Sequence, residues 1–174
     1  MSELYESVIV IADSETAHSA FRSLSSPLHL RLIRLSDRIY AANRVATRED
    51  RFDEAAINEV AAQLSKSCGH SLAVFYDNRC GVNDSNLFRN GSLVESFGEE
   101  DELWVPLDDN GYQLTDGERF TVDQLDEDEE YDCIQSGIDV GLATLGVSSP
   151  PSQSALIGAF CYDRCEVEAE HTPT

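Results

Sequence analysis

Carboxylates are the side chains in this chain whose density invites a chemical reading. Asp126-Glu127-Asp128-Glu129-Glu130 stand in a row, and Glu99-Glu100-Asp101-Glu102 precede the apolar segment Leu103-Trp104-Val105-Pro106-Leu107, which Asp108 and Asp109 close. Clustered carboxylates can hold hard cations, work as an acid and base pair, or turn a negative face toward a basic partner. A calcium loop needs oxygen ligands at positions 1, 3, 5 and 12 with glycine at 6. Setting Gly111 at position 6 puts Asn110 and Asp108 in place but leaves Pro106 at 1 and Gly117 at 12, so the match fails. A glycosidase-like pair has no discriminating signal either, because any two of 33 acids could be chosen. The remaining chemistry is recognition. An aromatic anchor framed by acids suits an interface with a basic protein, which the acids would steer into place. The expected partner-binding residues are therefore Glu99, Glu100, Asp101, Glu102, Trp104, Asp108 and Asp109, together with Asp126, Glu127, Asp128, Glu129 and Glu130. The plainer alternative is a solvated charged face, with Trp104 pinning its segment over a sheet.

Other sites dissolve on inspection. Asp13 ends the apolar run Val8 to Ala12, the place of phosphate-receiving or magnesium-binding aspartates in α/β proteins, but a second early carboxylate and a later basic partner are missing; it reads as a helix N-cap. No G-x-S-x-G elbow, phosphate-cradling glycine loop or G-x-G-x-x-G occurs, and His18, His29, His70 and His171 have no telling sequence neighbours. Cys80-Gly81 reads as a turn. The five cysteines are odd in number and lack a C-x-x-C pair, so no disulfide framework is indicated. Cys161, Cys165 and His171 could contribute to a soft metal site, against the simpler reading of buried or idle thiols. No cofactor or metal is expected.

The formal net charge of −21 is unevenly spread. Residues 1 to 98 carry 13 acidic and 10 basic side chains, a net of −3, whereas residues 99 to 174 carry 20 and 2, a net of −18. Nucleic acid and anionic membrane surfaces are excluded as partners, since phosphate contacts need a surplus of Lys and Arg. The N-terminus MSELYESVIVIAD lacks the basic flank of a secretory signal, and its apolar run is too short to span a bilayer, so a soluble cytoplasmic protein is expected.

The elements that must position these residues follow from periodicity. Val8 to Ala12 is a strand covered on both faces. Asp13 or Ser14 caps a helix carrying Ala17, Phe21 and Leu24, stopped at Ser25-Ser26-Pro27. Leu28, Leu30 and Leu32 alternate with polar residues in a second strand, and Arg38 to Arg44 is a third. Asp53 caps a second helix with Ile57, Val60, Ala61 and Leu64 inward and an end near Gly69; Leu72 to Tyr76 is a fourth, wholly apolar strand. The order βαββαβ is the ferredoxin-like arrangement. Asn90-Gly91 joins two further strands, Asn86 to Arg89 and Ser92 to Ser96, as a hairpin that covers the edge of the sheet. Leu103 to Leu107, with its proline, is an edge strand or clamp. Thr121 and Gln124 form a capping box. Tyr131, Ile134, Ile138, Leu142 and Leu145 predict a last amphipathic helix closed by Gly146, with the acids at 126 to 130 in its first turns, where the helix dipole favours them. Gly137 and Gly141 permit a close backbone approach.

The expected architecture is a single α+β domain over 1–146: a ferredoxin-like βαββαβ sheet extended by a β-hairpin, with an additional C-terminal amphipathic helix and an acidic region from 99. Residues 147–174 form a linker plus a docked or swapped tail, apolar at Ala155 to Tyr162 and loose from Cys165; swapping would make a homodimer. Two functions fit. One is a non-enzymatic acidic interaction domain that masks the basic surface of a protein partner, as an inhibitor or immunity protein does. The other is a small-molecule enzyme or ligand-binding domain with a pocket between sheet and helix or at a dimer interface.

Overall fold

A computed structural model describes residues 4–45, 50–77, 79–98, 100–112, 114, 120–134, 137–147 and 166–174. The elements are β1 (Leu4–Ile11), α1 (Ser14–Arg22), β2 (Leu30–Ser36), β3 (Ile39–Arg44), α2 (Glu54–Cys68), β4 (His70–Asp77), β5 (Val82–Arg89), β6 (Ser92–Phe97), β7 (Leu103–Pro106), β8 (Tyr131–Ile134), α3 (Ile138–Leu145) and β9 (Val167–His171), with a 3-10 turn at Val122–Gln124 before β8. Seven strands form one sheet in the order β6-β5-β4-β1-β3-β2-β9, each adjacent pair antiparallel, while β7 and β8 pair separately. This order differs from that of a ferredoxin-like sheet. The description that holds is α+β, built on a seven-stranded antiparallel sheet.

Both faces of the sheet are covered, which explains why β1 and β4 read as continuous apolar runs rather than alternating ones. Even-numbered β1 residues Val8 and Val10 pack with Phe21 of α1 and Ile57, Val60 and Leu64 of α2. Ile9, Leu72, Val74 and Leu87 face the other way, onto Ile138 and Leu142 of α3. Full burial of such side chains contributes about 1.5–3 kcal/mol each, enough to seat a helix of only eight residues. α1 starts where Asp13 accepts from the Thr16 amide at 2.8 Å, and α2 where Asp53 accepts from the Ala56 amide at 3.2 Å. The β5–β6 turn has φ of 48° at Asn90 and 89° at Gly91, both in the left-handed region that a two-residue hairpin of this kind requires.

Two expectations are corrected. Tyr131 to Ile134 is not helical: it is β8, paired with β7, and α3 begins only at Ile138. Gly137, at φ 72°, breaks the backbone between them, and it approaches Asn83 so closely that a Cβ there would overlap the Asn83 carbonyl oxygen. The acids at 126 to 130 therefore gain nothing from a helix dipole. The tail beyond Cys165 is likewise not loose, since β9 extends the sheet beside β2. It is held by side chains as well as by its ladder: Glu168 meets His18 at 3.0 Å, Glu170 meets Arg31 at 3.1 Å, and the buried His171 donates to the Ser26 carbonyl at 3.1 Å. Residues 148–165, including the apolar segment Ala155 to Tyr162, lie outside the described residues.

Candidate functional site

The β7–β8 ladder decides which acids meet. Pro106 lies opposite Tyr131, so the residues after β7 and before β8 leave the ladder at the same end, and the Leu107 amide donates to the Glu130 carbonyl at 3.1 Å. A cleft of about 480 Å³ opens there, lined by Pro106, Leu107 and Leu114 and by four carboxylates, Asp108, Asp109, Glu129 and Glu130. Asp108 shapes one wall by accepting from the Asn110 and Tyr112 amides, each at 2.9 Å, in a turn completed by Gly111 at φ 80°. Glu129 accepts from the Tyr131 hydroxyl at 2.9 Å. Partial desolvation together with that hydrogen bond pushes the Tyr131 hydroxyl above its ordinary pKa.

The other expected contact residues are placed differently. Glu100, Glu102, Asp126, Glu127 and Asp128 are exposed and do not line the cleft. Asp101 turns back on its own segment, accepting from the Gly98 amide at 2.9 Å. Glu99 lies outside the described residues. Trp104 exchanges two backbone hydrogen bonds with Phe120, at 2.8 and 2.9 Å, and its flanking neighbours Leu103 and Val105 are buried. Its indole nitrogen is enclosed and finds no hydrogen-bond partner among the described residues. The residue as a whole is partly buried.

A second concavity lies between the start of α2 and the β4–β5–β6 part of the sheet, about 470 Å³ in volume. Phe52, just ahead of the α2 cap, stands edge-on to Phe75 of β4, with ring centroids 6.0 Å apart. Register places Phe75 beside Glu6 of β1 on one side and Asp84 of β5 on the other, and Asn86 beside Ser96. Glu54, in the first turn of α2, faces the same space. Glu6 itself is buried, ion-paired with Arg44, and accepts from the Asp53 amide at 2.7 Å. Burial raises its pKa, and Arg44 works against that rise. None of these residues stands out in the sequence, because they belong to separate segments and form no motif within any of them. The Asn90-Gly91 signal locates β5 and β6, but a bulge shifts their register between Phe88 and Leu87, so the side on which Asp84 and Asn86 fall follows from the β4–β5 pairing.

The three thiols among the described residues are held in the protonated form. Burial pushes the Cys68 thiol up, a hydrogen bond to Asp77 does the same to Cys80, and burial does so to Cys133. No group of three or more His, Cys, Asp or Glu suited to a metal occurs among the described residues. Cys161 and Cys165 fall outside them, and His171 is engaged with Ser26, its ring edge-on to Phe21. No helix among the described residues is long and apolar enough to cross a membrane. Compared with protein-family models, curated proteins and solved structures, the chain finds no match.

Proposed function

We propose that this chain is a non-enzymatic binding protein whose acidic β7–β8 end meets a basic protein partner and masks its basic surface, in the manner of an inhibitor or immunity protein of the cytoplasm. The observation that supports this reading is the convergence of Asp108 and Asp109 with Glu129 and Glu130 on one cleft, although about twenty residues separate the two pairs in sequence. Four carboxylates with apolar residues between them offer a basic side chain both charge and a body to pack against. Asp126, Glu127 and Asp128, exposed just ahead of Glu129, and Glu100 and Glu102, exposed before the other end of β7, add a negative field that speeds encounter without fixing the pose. The inner strands β4-β1-β3-β2 are read as the ferredoxin-like unit, which acts as the scaffold. Calorimetric titration of the full chain with an octa-arginine peptide tests the reading. Affinity should fall steeply with added salt and collapse on the double charge reversal Glu129→Lys and Glu130→Lys; binding insensitive to both would refute it.

A second reading, a ligand-binding domain, is favoured by the concavity between α2 and the sheet, whose volume lies within the range of small-molecule sites.

A further inference from the structure

We propose that the concavity between the start of α2 and β4–β6 binds a small organic ammonium ion, a cation carried on a flat apolar body; this rests on the ligand-binding reading above and gives it a ligand class. Its walls combine aromatic rings with carboxylates. Phe52 and Phe75 meet edge to face, Glu54 contributes a charge from α2 and Asp84 another from β5, and among the described residues no Lys or Arg lines the space. An ammonium group lying within about 6 Å of an aromatic face gains from the ring quadrupole, and more so when partly desolvated. Gly98 brings the Asp84 carboxylate close, since a Cβ added there would stand 3.2 Å from Asp84 Oδ1. Asn86 and Ser96 supply the polar groups that orient a bound amine.

The start of a helix ordinarily favours an anion. Here that preference is already met by the chain's own carboxylates: Asp53 accepts from the Ala56 amide, Glu6 accepts from the Asp53 amide, and Glu54 occupies the first turn. An incoming anion would meet Glu54 and Asp84, and the nearby Arg44 is held by Glu6 and by the Arg51 carbonyl, at 2.7 Å from the latter. The volume of about 470 Å³ accommodates a single-ring amine.

The test uses three isosteric probes with the full ¹⁵N-labelled chain: phenethylammonium, the neutral 2-phenylethanol and the anionic phenylacetate. Phenethylammonium should shift the amide signals of Asn86, Ser96 and Gly98 saturably, with 2-phenylethanol about tenfold weaker and phenylacetate silent. Glu54→Gln, at an exposed position where folding is not at stake, and Asp84→Asn should each weaken the amine about tenfold, with amide signals remote from the cavity unchanged. Equal binding of amine and alcohol would overturn the ammonium assignment and leave the ligand-binding reading standing. Absence of saturable shifts with all three probes up to about 20 mM would overturn both, given the efficiency expected of so small a ligand. Shifts at these amides with octa-arginine but not with phenethylammonium would also overturn it, by making the cavity a peptide contact.

Discussion

A carboxylate with almost no exposed surface must be held by an opposite charge and by hydrogen bonds, and Glu6 has both in Arg44 and the Asp53 amide. Replacing it with leucine leaves Arg44 and that amide without their acceptor. Glu6→Leu should lower unfolding free energy by about 3 kcal/mol, measured by urea denaturation, and should loosen the start of α2. Asp77 answers to pH. It is buried, and the Arg79 guanidinium grips it at 2.7 and 2.8 Å, holding its pKa down to about 2. The folded pKa lies below the unfolded one, so the stability Asp77 contributes is present above the ordinary carboxylate range and is lost as pH falls toward about 2. Arg79 is half exposed, so solvent screening limits the contribution to about 1 kcal/mol. Acid titration of stability in Asp77→Asn should be flatter than in wild type across that interval. Glu6 carries the opposite sign: its raised pKa means that stability is lost as pH rises through it. Glu6 is not readable from the sequence, where it is one acid beside an apolar run; only the strand pairing reveals that it looks inward.

At the scale of elements, α3 and β8 mark where sequence reading stops. Tyr131, Ile134, Ile138, Leu142 and Leu145 satisfy a helical period, yet the first two belong to a strand. The missing information is tertiary: β7 offers a ladder to residues 131 to 134, and Asn83 caps the later start by accepting from the Ile138 amide at 3.0 Å. The close approach at Gly137 and Gly141 was readable from their spacing, but its target, the Asn83 carbonyl and Ser85, was not. Gly137→Ala should destabilise by about 3 kcal/mol, through overlap as well as backbone strain. Gly81→Ala is the comparison, because φ is 71° there but nothing stands within 4 Å of the added Cβ; it should cost only about 1 kcal/mol. Comparable losses in chemical denaturation would contradict this account of α3. β9 was missed for the same kind of reason. Val167-Glu168-Ala169-Glu170 alternates apolar and polar residues, but over only four positions, and its place depends on His18, Arg31 and Ser26 far away in sequence. Its amides should exchange with solvent faster than those of β1 and β4, which lie inside the sheet.

Across the whole molecule, composition and periodicity correctly foresaw an α+β chain, its first four strands, its first two helices and the Asn90-Gly91 hairpin, because those rest on local patterning. The placement of charge was only half readable. The division into a nearly neutral first part and an acidic second part follows from counting, whereas the convergence of 108 and 109 with 129 and 130 follows from a ladder between two short strands. A net charge of −21 also opposes compactness. Raising sodium chloride from about 0.05 to about 1 M should raise the melting temperature by several degrees as the Debye length shortens; a flat or falling trend would show that self-repulsion is already offset. The central claim is that the β7–β8 cleft, rather than total charge, directs a basic partner. The most direct test compares octa-arginine affinity for the fourfold variant Asp108→Asn, Asp109→Asn, Glu129→Gln and Glu130→Gln with affinity for Glu15→Gln, Asp37→Asn, Glu59→Gln and Glu95→Gln, which removes the same charge elsewhere. The cleft variant should bind about tenfold or more weakly and the control within about threefold of wild type; equal weakening in both would contradict the account.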